Sequence, residues 1–104
     1  MPIKNLAANR MADFRRVLKR AGLDGYVTVD RLEQRYLSGI DLNDGEAVFF
    51  ITPAKGYCLT KRLIASKMVP AAKFLKTEIV PYGGMLEGTL NKIKKLGLKR
   101  VAFD

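Results

Sequence analysis

Two stretches at opposite ends of this chain are written in the same order: "LKRAGLDGYVTVD" (18–30) and "IKKLGLKRVAFD" (93–104). Each reads as a basic helix end, a Gly-Leu pair, a polar link, an apolar strand and an aspartate. Glycine just past a helix adopts the left-handed conformation that other residues avoid, and the apolar residue behind it folds back on the last turn. Capping chemistry alone accounts for the recurrence. It nevertheless places two helix-to-strand units on one sheet and predicts a mixed α/β layer structure with about five strands.

The remaining segments fit that plan. Asn5 is placed as the N-cap of a first helix running to about Ala21, with Ala7, Met11, Phe14 and Leu18 as its apolar stripe and Val17 and Ala21 beside it. "GYVTV" reads as a strand, and "DRLEQRYLSG" as a short helix that Asp30 starts and Gly39 ends. "AVFFIT" and "GYCLT" flank "PAK", with Pro53 set for a tight turn, and form a hairpin. "KRLIASKMVPAAKFLK" is expected to be helical in pieces because of Pro70. "TEIVPY" is a further strand, "GG" at 83–84 a loop, and Leu86, Leu90, Ile93 and Leu96 give the last helix its stripe. "RVAF" closes the sheet.

A length of 104 residues, 48% of them hydrophobic, suits one folded domain. "MPIKNLAANRMADF" has no apolar core of a secretory signal, and the longest apolar run, "AVFFI", is too short to span a bilayer. A cytoplasmic protein without membrane contact is expected. The net charge of +9 is uneven. Residues 1–22 and 61–104 are strongly basic, whereas 23–60 are net acidic, so two basic helical surfaces should flank a more acidic loop region.

Chemistry is constrained most by what is missing. With no histidine, the chain excludes Ser-His-Asp and Cys-His catalysis and histidine metal sites. Cys58, the single cysteine, excludes an internal disulfide and a Cys-rich zinc site, and within a strand it should be a buried thiol. "DLNDGE" fails as a calcium loop, since Gly45 comes one residue early and Thr52 stands where the closing glutamate belongs. "PYGGML" lacks the Lys-Ser/Thr ending of a phosphate loop. "TKRLIASK" places Lys61, Arg62 and Lys67 just after a strand, where a basic cluster either receives a carboxylate or phosphate or solvates a helix start. A pI near 9.9 fits nucleic-acid binding, yet there is no aromatic-basic RNA motif and no zinc finger.

Taken in order, "KRAGLDGYVTV", "RYLSGI", "GYCLTKR" and "LGLKRVAFD" resemble the N-terminal domain of the creatinase/prolidase family, over about Met11 to Asp104. The chain departs from the family pattern in places. Glu33 stands for the usual Asn, Arg31 for a Pro, and "TKRL" lacks the aspartate and has Leu63 for a tyrosine, with Arg62 the nearest match to the family's arginine.

That resemblance implies a three-layer α/β/α domain of the ribonuclease H-like type, residues 1–104 forming a single non-catalytic N-terminal domain. A separate C-terminal catalytic "pita-bread" domain, absent from this chain, would carry a pair of divalent metals (Mn, Co or Zn) and hydrolyse Xaa-Pro dipeptides or release N-terminal residues before proline. The N-terminal domain would shape substrate access and homodimer assembly. Tyr36, Ser38 and Gly39 would shape the turn toward the sheet, and Lys61 and Arg62 would face a substrate entrance or a partner subunit. The alternative is a stand-alone basic module that binds nucleic acid or another protein.

Overall fold

The chain's structure is a computed structural model that describes residues 3–43, 45–80 and 84–103. Its elements run α1 (Ile3–Arg20), β1 (Gly25–Thr28), α2 (Arg31–Ser38), β2 (Ala47–Ile51), β3 (Gly56–Thr60), α3 (Arg62–Ala71), β4 (Leu75–Ile79), α4 (Met85–Leu96) and β5 (Val101–Phe103). The sheet has five strands in the order β4-β3-β2-β1-β5. β2 runs antiparallel to both neighbours, while β1 pairs parallel with β5 and β3 parallel with β4.

β2 explains the layering. Every residue of "AVFFI" is buried, as required of a central strand covered on both faces. Successive side chains point to opposite faces. Phe49 and Ile51 join Met11, Leu18, Leu37, Met68 and Leu75 on one side, so α1, α2 and α3 cover that face. Phe50 and Val48 join Val27 and Leu59 on the other, with Met85 and Ile93 of α4 packed against them. Three layers result. The β2–β3 hairpin is closed through Thr52, whose amide donates to the Lys55 carbonyl at 2.7 Å and whose Oγ1 accepts from the Lys55 amide at 2.9 Å.

Both Gly-Leu helix exits are built alike. Gly22 and Gly97 have φ of 73° and 68°, and the amides of Leu23 and Leu98 reach back to the carbonyls of Leu18 and Ile93 at 3.0 and 3.2 Å. β1 and β5, which follow them, lie side by side with Tyr26 opposite Ala102. Asp24 ties the two units together. Its carboxylate accepts from the amides of Lys99 and Arg100, each at 2.9 Å, and those bonds, Arg100's first, hold its pKa below the ordinary carboxyl range.

Several expectations need correction. α1 starts at Ile3, so Asn5 lies inside the helix instead of capping it. β1 ends at Thr28, one residue before the end of "GYVTV". α3 is one helix: Pro70 sits in its last turn, where little helix remains to be broken beyond it. β4 starts at Leu75 and ends at Ile79, earlier at both ends than "TEIVPY", whose last residues fall partly outside the described ones.

The stripe on α4 is also rotated. Leu86, Leu90 and Leu96 are exposed, and the helix meets the sheet through Met85, Gly88, Thr89, Lys92 and Ile93. Gly88 and Thr89 are small enough for close approach; a Cβ on Gly88 would sit 3.2 Å from Val80 Cγ1. Lys92 lays its stem along this face while its Nζ pairs with Glu78 Oε2 at 2.7 Å and stands 4.2 Å from the Tyr57 ring centroid. Val17 and Ala21, beside the stripe of α1, are likewise exposed, whereas Ala7, Met11 and Leu18 are buried.

Candidate functional site

Carboxyl ends of parallel strands are where ligand sites gather in α/β sheets. β1, β3, β4 and β5 share one direction here, so α2, the 61–62 segment and the start of β2 meet at one edge of the sheet. The α2 helix is locally encoded. Asp30 Oδ2 accepts from the Glu33 amide at 3.0 Å, and Gly39 takes a φ of 77° at the other end.

What anchors α2 is a buried amide that sequence reading passes over. Gln34 is 1% exposed, and its Nε2 donates to the carbonyls of Thr28 at 3.1 Å and Ala47 at 2.9 Å. It thereby joins the end of β1 to the start of β2. Gln34 lies three residues before buried Leu37, a spacing that marks it as inward-facing. Ser38 extends the network, its Oγ donating to the Gln34 carbonyl at 2.7 Å and accepting from the Ile40 amide at 3.1 Å. Thr60 Oγ1 donates to the Glu46 carbonyl, fixing the return of the chain into β2.

The outer face of α2 is different in kind. Leu32, Arg35, Tyr36 and Gly39, together with Arg10 of α1, line an open groove of about 420 Å³. The Arg10 guanidinium lies 4.8 Å from the Tyr36 ring centroid, and its Nη1 donates to the Tyr36 carbonyl at 3.3 Å. At the rim, Arg31 donates from Nε and Nη2 to the two oxygens of Asp41 at 3.1 and 3.2 Å. That hydrogen bond, with the nearby charges of Arg31, Arg35 and Lys67, holds the Asp41 carboxyl below its ordinary range.

Of the residues singled out from sequence, Tyr36 and Gly39 therefore come together in this groove, while Ser38 is buried beneath it in a structural role. Lys61 and Arg62 lie apart from it: Lys61 precedes α3 in extended conformation, and Arg62 opens that helix exposed to solvent. Arg10, Leu32 and Arg35 were not singled out from sequence. The spacing 32, 35, 36, 39 on one helical face is the signal that marks the α2 members.

Among the described residues, no group of three or more His, Cys, Asp or Glu side chains is placed to hold a metal ion. Asp44 of "DLNDGE" lies outside the described residues. Burial pushes the Cys58 thiol up to about 12, which makes it a poor nucleophile. No helix among the described residues is long and apolar enough to cross a membrane.

Residues 10–104 match the description of the creatinase/prolidase N-terminal domain. The chain belongs to that family. No curated protein matches it in sequence. Among solved structures it is similar to the Xaa-Pro aminopeptidase of Streptococcus thermophilus, with a TM-score of 0.83 at 18% identity, covering 94% of this chain and 73% of that one. It is similar also to the N-terminal domain of the cytoplasmic peptidase PepQ from Mycobacterium tuberculosis H37Rv, with a TM-score of 0.78 at 16% identity, covering 92% and 72%. The Xaa-Pro dipeptidase from Bacillus anthracis gives a TM-score of 0.79 at 17% identity. That match covers 94% of this chain but only 27% of the dipeptidase. The mixed five-stranded sheet with four helices is thus the creatinase N-terminal fold, and the nucleic-acid alternative gains no support from these relatives.

Proposed function

We propose that this creatinase/prolidase N-terminal domain serves a metal-dependent Xaa-Pro peptidase as its non-catalytic leading domain, shaping substrate access and subunit assembly. The observation that carries the reading is the family match over residues 10–104, joined to the 27% of the Bacillus anthracis dipeptidase that the same fold occupies. Acid/base chemistry and the divalent metal pair (Mn, Co or Zn) belong, in this reading, to a C-terminal catalytic domain. The exposed leucines of α4, Leu86 at 53% and Leu90 at 48%, support a face that packs on that domain, because apolar side chains gathered on one helix face favour burial. Lys61, Arg62 and the Tyr36–Gly39 turn are the candidates to face a substrate entrance or a partner subunit in a cytoplasmic homodimer.

Two measurements test the reading. The purified chain, assayed with Mn²⁺ or Co²⁺ on Xaa-Pro dipeptides, is expected to give no turnover; hydrolysis that persists through repurification refutes a non-catalytic role. Sequencing the reading frame past codon 104 is expected to reveal a domain with spaced Asp, Asp, His, Glu and Glu. A stop codon there would leave a stand-alone module and refute the leading-domain assignment.

A further inference from the structure

The α1–α2 groove has a chemistry of its own, independent of the peptidase reading. We propose that it docks an acidic polypeptide segment in which a carboxylate stands beside a bulky apolar side chain. Its two cations are differently prepared. Arg10 is pinned by the Tyr36 ring at 4.8 Å and by its bond to the Tyr36 carbonyl, which uses one of five N–H donors and orients the rest. A guanidinium already held in place loses little freedom on meeting a carboxylate. Arg35, on the same helix face, has no acceptor within hydrogen-bond distance among the described residues. Asp41, the acid nearest in charge effect, is engaged by Arg31 at 3.1 and 3.2 Å. No acidic residue lines the groove, so its net charge is positive.

The apolar half selects among anions. Leu32 is 71% exposed and Tyr36 57% exposed, large for isolated surface positions and both lining the groove. A free phosphate would use the arginines and leave Leu32 idle. A nucleic-acid strand favours a track of cations with stacking aromatics, and one tyrosine already covered by Arg10 does not supply it. An acidic residue next to Leu or Phe engages both halves at once: the carboxylate takes the guanidinium edges, and the neighbour covers Leu32 and the free rim of Tyr36. The volume of about 420 Å³ accommodates such a pair of side chains, lying within the range of about 300–1,000 Å³ common for ligand sites.

The test is fluorescence anisotropy on the full chain, using a fluorescein-labelled peptide built from Glu-Leu-Phe-Glu blocks. Saturable binding is expected. Arg35→Gln and Leu32→Ser are each expected to weaken it about fivefold, the scale of one exposed ion pair or one partly covered aliphatic group. Arg35→Lys should recover only part of the loss, since the fork geometry is gone. Both positions are exposed, so circular-dichroism melts should match the parent chain. Absence of saturable binding overturns the proposal. So does binding that Leu32→Ser leaves unchanged, equal binding of a peptide with Ser in place of Leu and Phe, or displacement by a single-stranded oligonucleotide at equal charge concentration.

Discussion

Replacing Gln34 with leucine isolates the joint on which α2 and its groove depend. The side chain is nearly the same size, so little cavity forms and the change is confined to hydrogen bonding. Two N–H bonds disappear, at 3.1 Å to the Thr28 carbonyl and 2.9 Å to the Ala47 carbonyl, at a position only 1% exposed. At about 0.5–1.5 kcal/mol for each bond, the loss is about 1–3 kcal/mol. For a chain of 104 residues that lowers the melting temperature by about 4–12 °C and, at a slope of about 2 kcal/mol/M, the urea midpoint by about 0.5–1.5 M. Gln34→Glu should cost more at pH 7 than at pH 4, because an ionised carboxylate facing two carbonyl oxygens cannot donate to either. Urea titrations followed by far-ultraviolet circular dichroism measure both variants. A Gln34→Leu melt within about 2 °C of the parent would refute the claim that this amide holds β1 and β2 together.

Gly25→Ala places a Cβ 2.8 Å from Cε1 of the fully buried Phe50 and should cost about 1–3 kcal/mol by overpacking, visible as a lower urea midpoint; an unchanged midpoint would show that the ring has room to move. Asp24 binds its proton less readily when folded than at its ordinary 3.8, so its contribution is complete above that value and fades as pH falls below it. Asp24→Asn should accordingly lower stability at pH 7 and narrow the gap to the parent near pH 3, and a constant gap across that window contradicts the assignment. Cys58, with its thiol pushed up to about 12, should resist a disulfide-exchange reagent at pH 8 in native buffer and react at once in urea; rapid native labelling would mean that β3 opens locally.

Much of the fold was legible because its punctuation is chemically strong. Gly22-Leu23, Gly97-Leu98, Asp30 and Gly39 have one cheap conformation each, and the structure uses every one of them. Asn5 failed because capping propensity says where a helix can start, while the helix here begins earlier, at Ile3. The stripe of α4 failed for a tertiary reason. Leucine periodicity marks an apolar face but not which partner covers it, and a small Gly88–Thr89 pair with an amphipathic Lys92 made the closer fit to the sheet. The groove was half legible: Tyr36 and Gly39 stood out within "RYLSG", but Arg10 comes from another helix, and only packing brings it over the Tyr36 ring.

The face on which α4 lies follows from strand order, although no local signal announces it. The exits of α1 and α4 are nearly identical, and the strands they feed are neighbours, yet the helices cover opposite sides of the sheet. α3 connects β3 to β4, moving outward toward one edge; α4 connects β4 to β5, crossing back over β3, β2 and β1 to the other edge. Both connections join parallel strands, and such crossovers are right-handed in nearly all proteins. Two right-handed crossovers that travel in opposite directions across one sheet must place their helices on opposite faces. α3 therefore shares the first face with α1 and α2, and among the described residues α4 is the helix that covers the second. One helix is narrower than the sheet it covers, and its own outer leucines gain no partner from this domain. The same topology that closes the core thus leaves Leu86 and Leu90 exposed, apolar surface available for a larger assembly to bury.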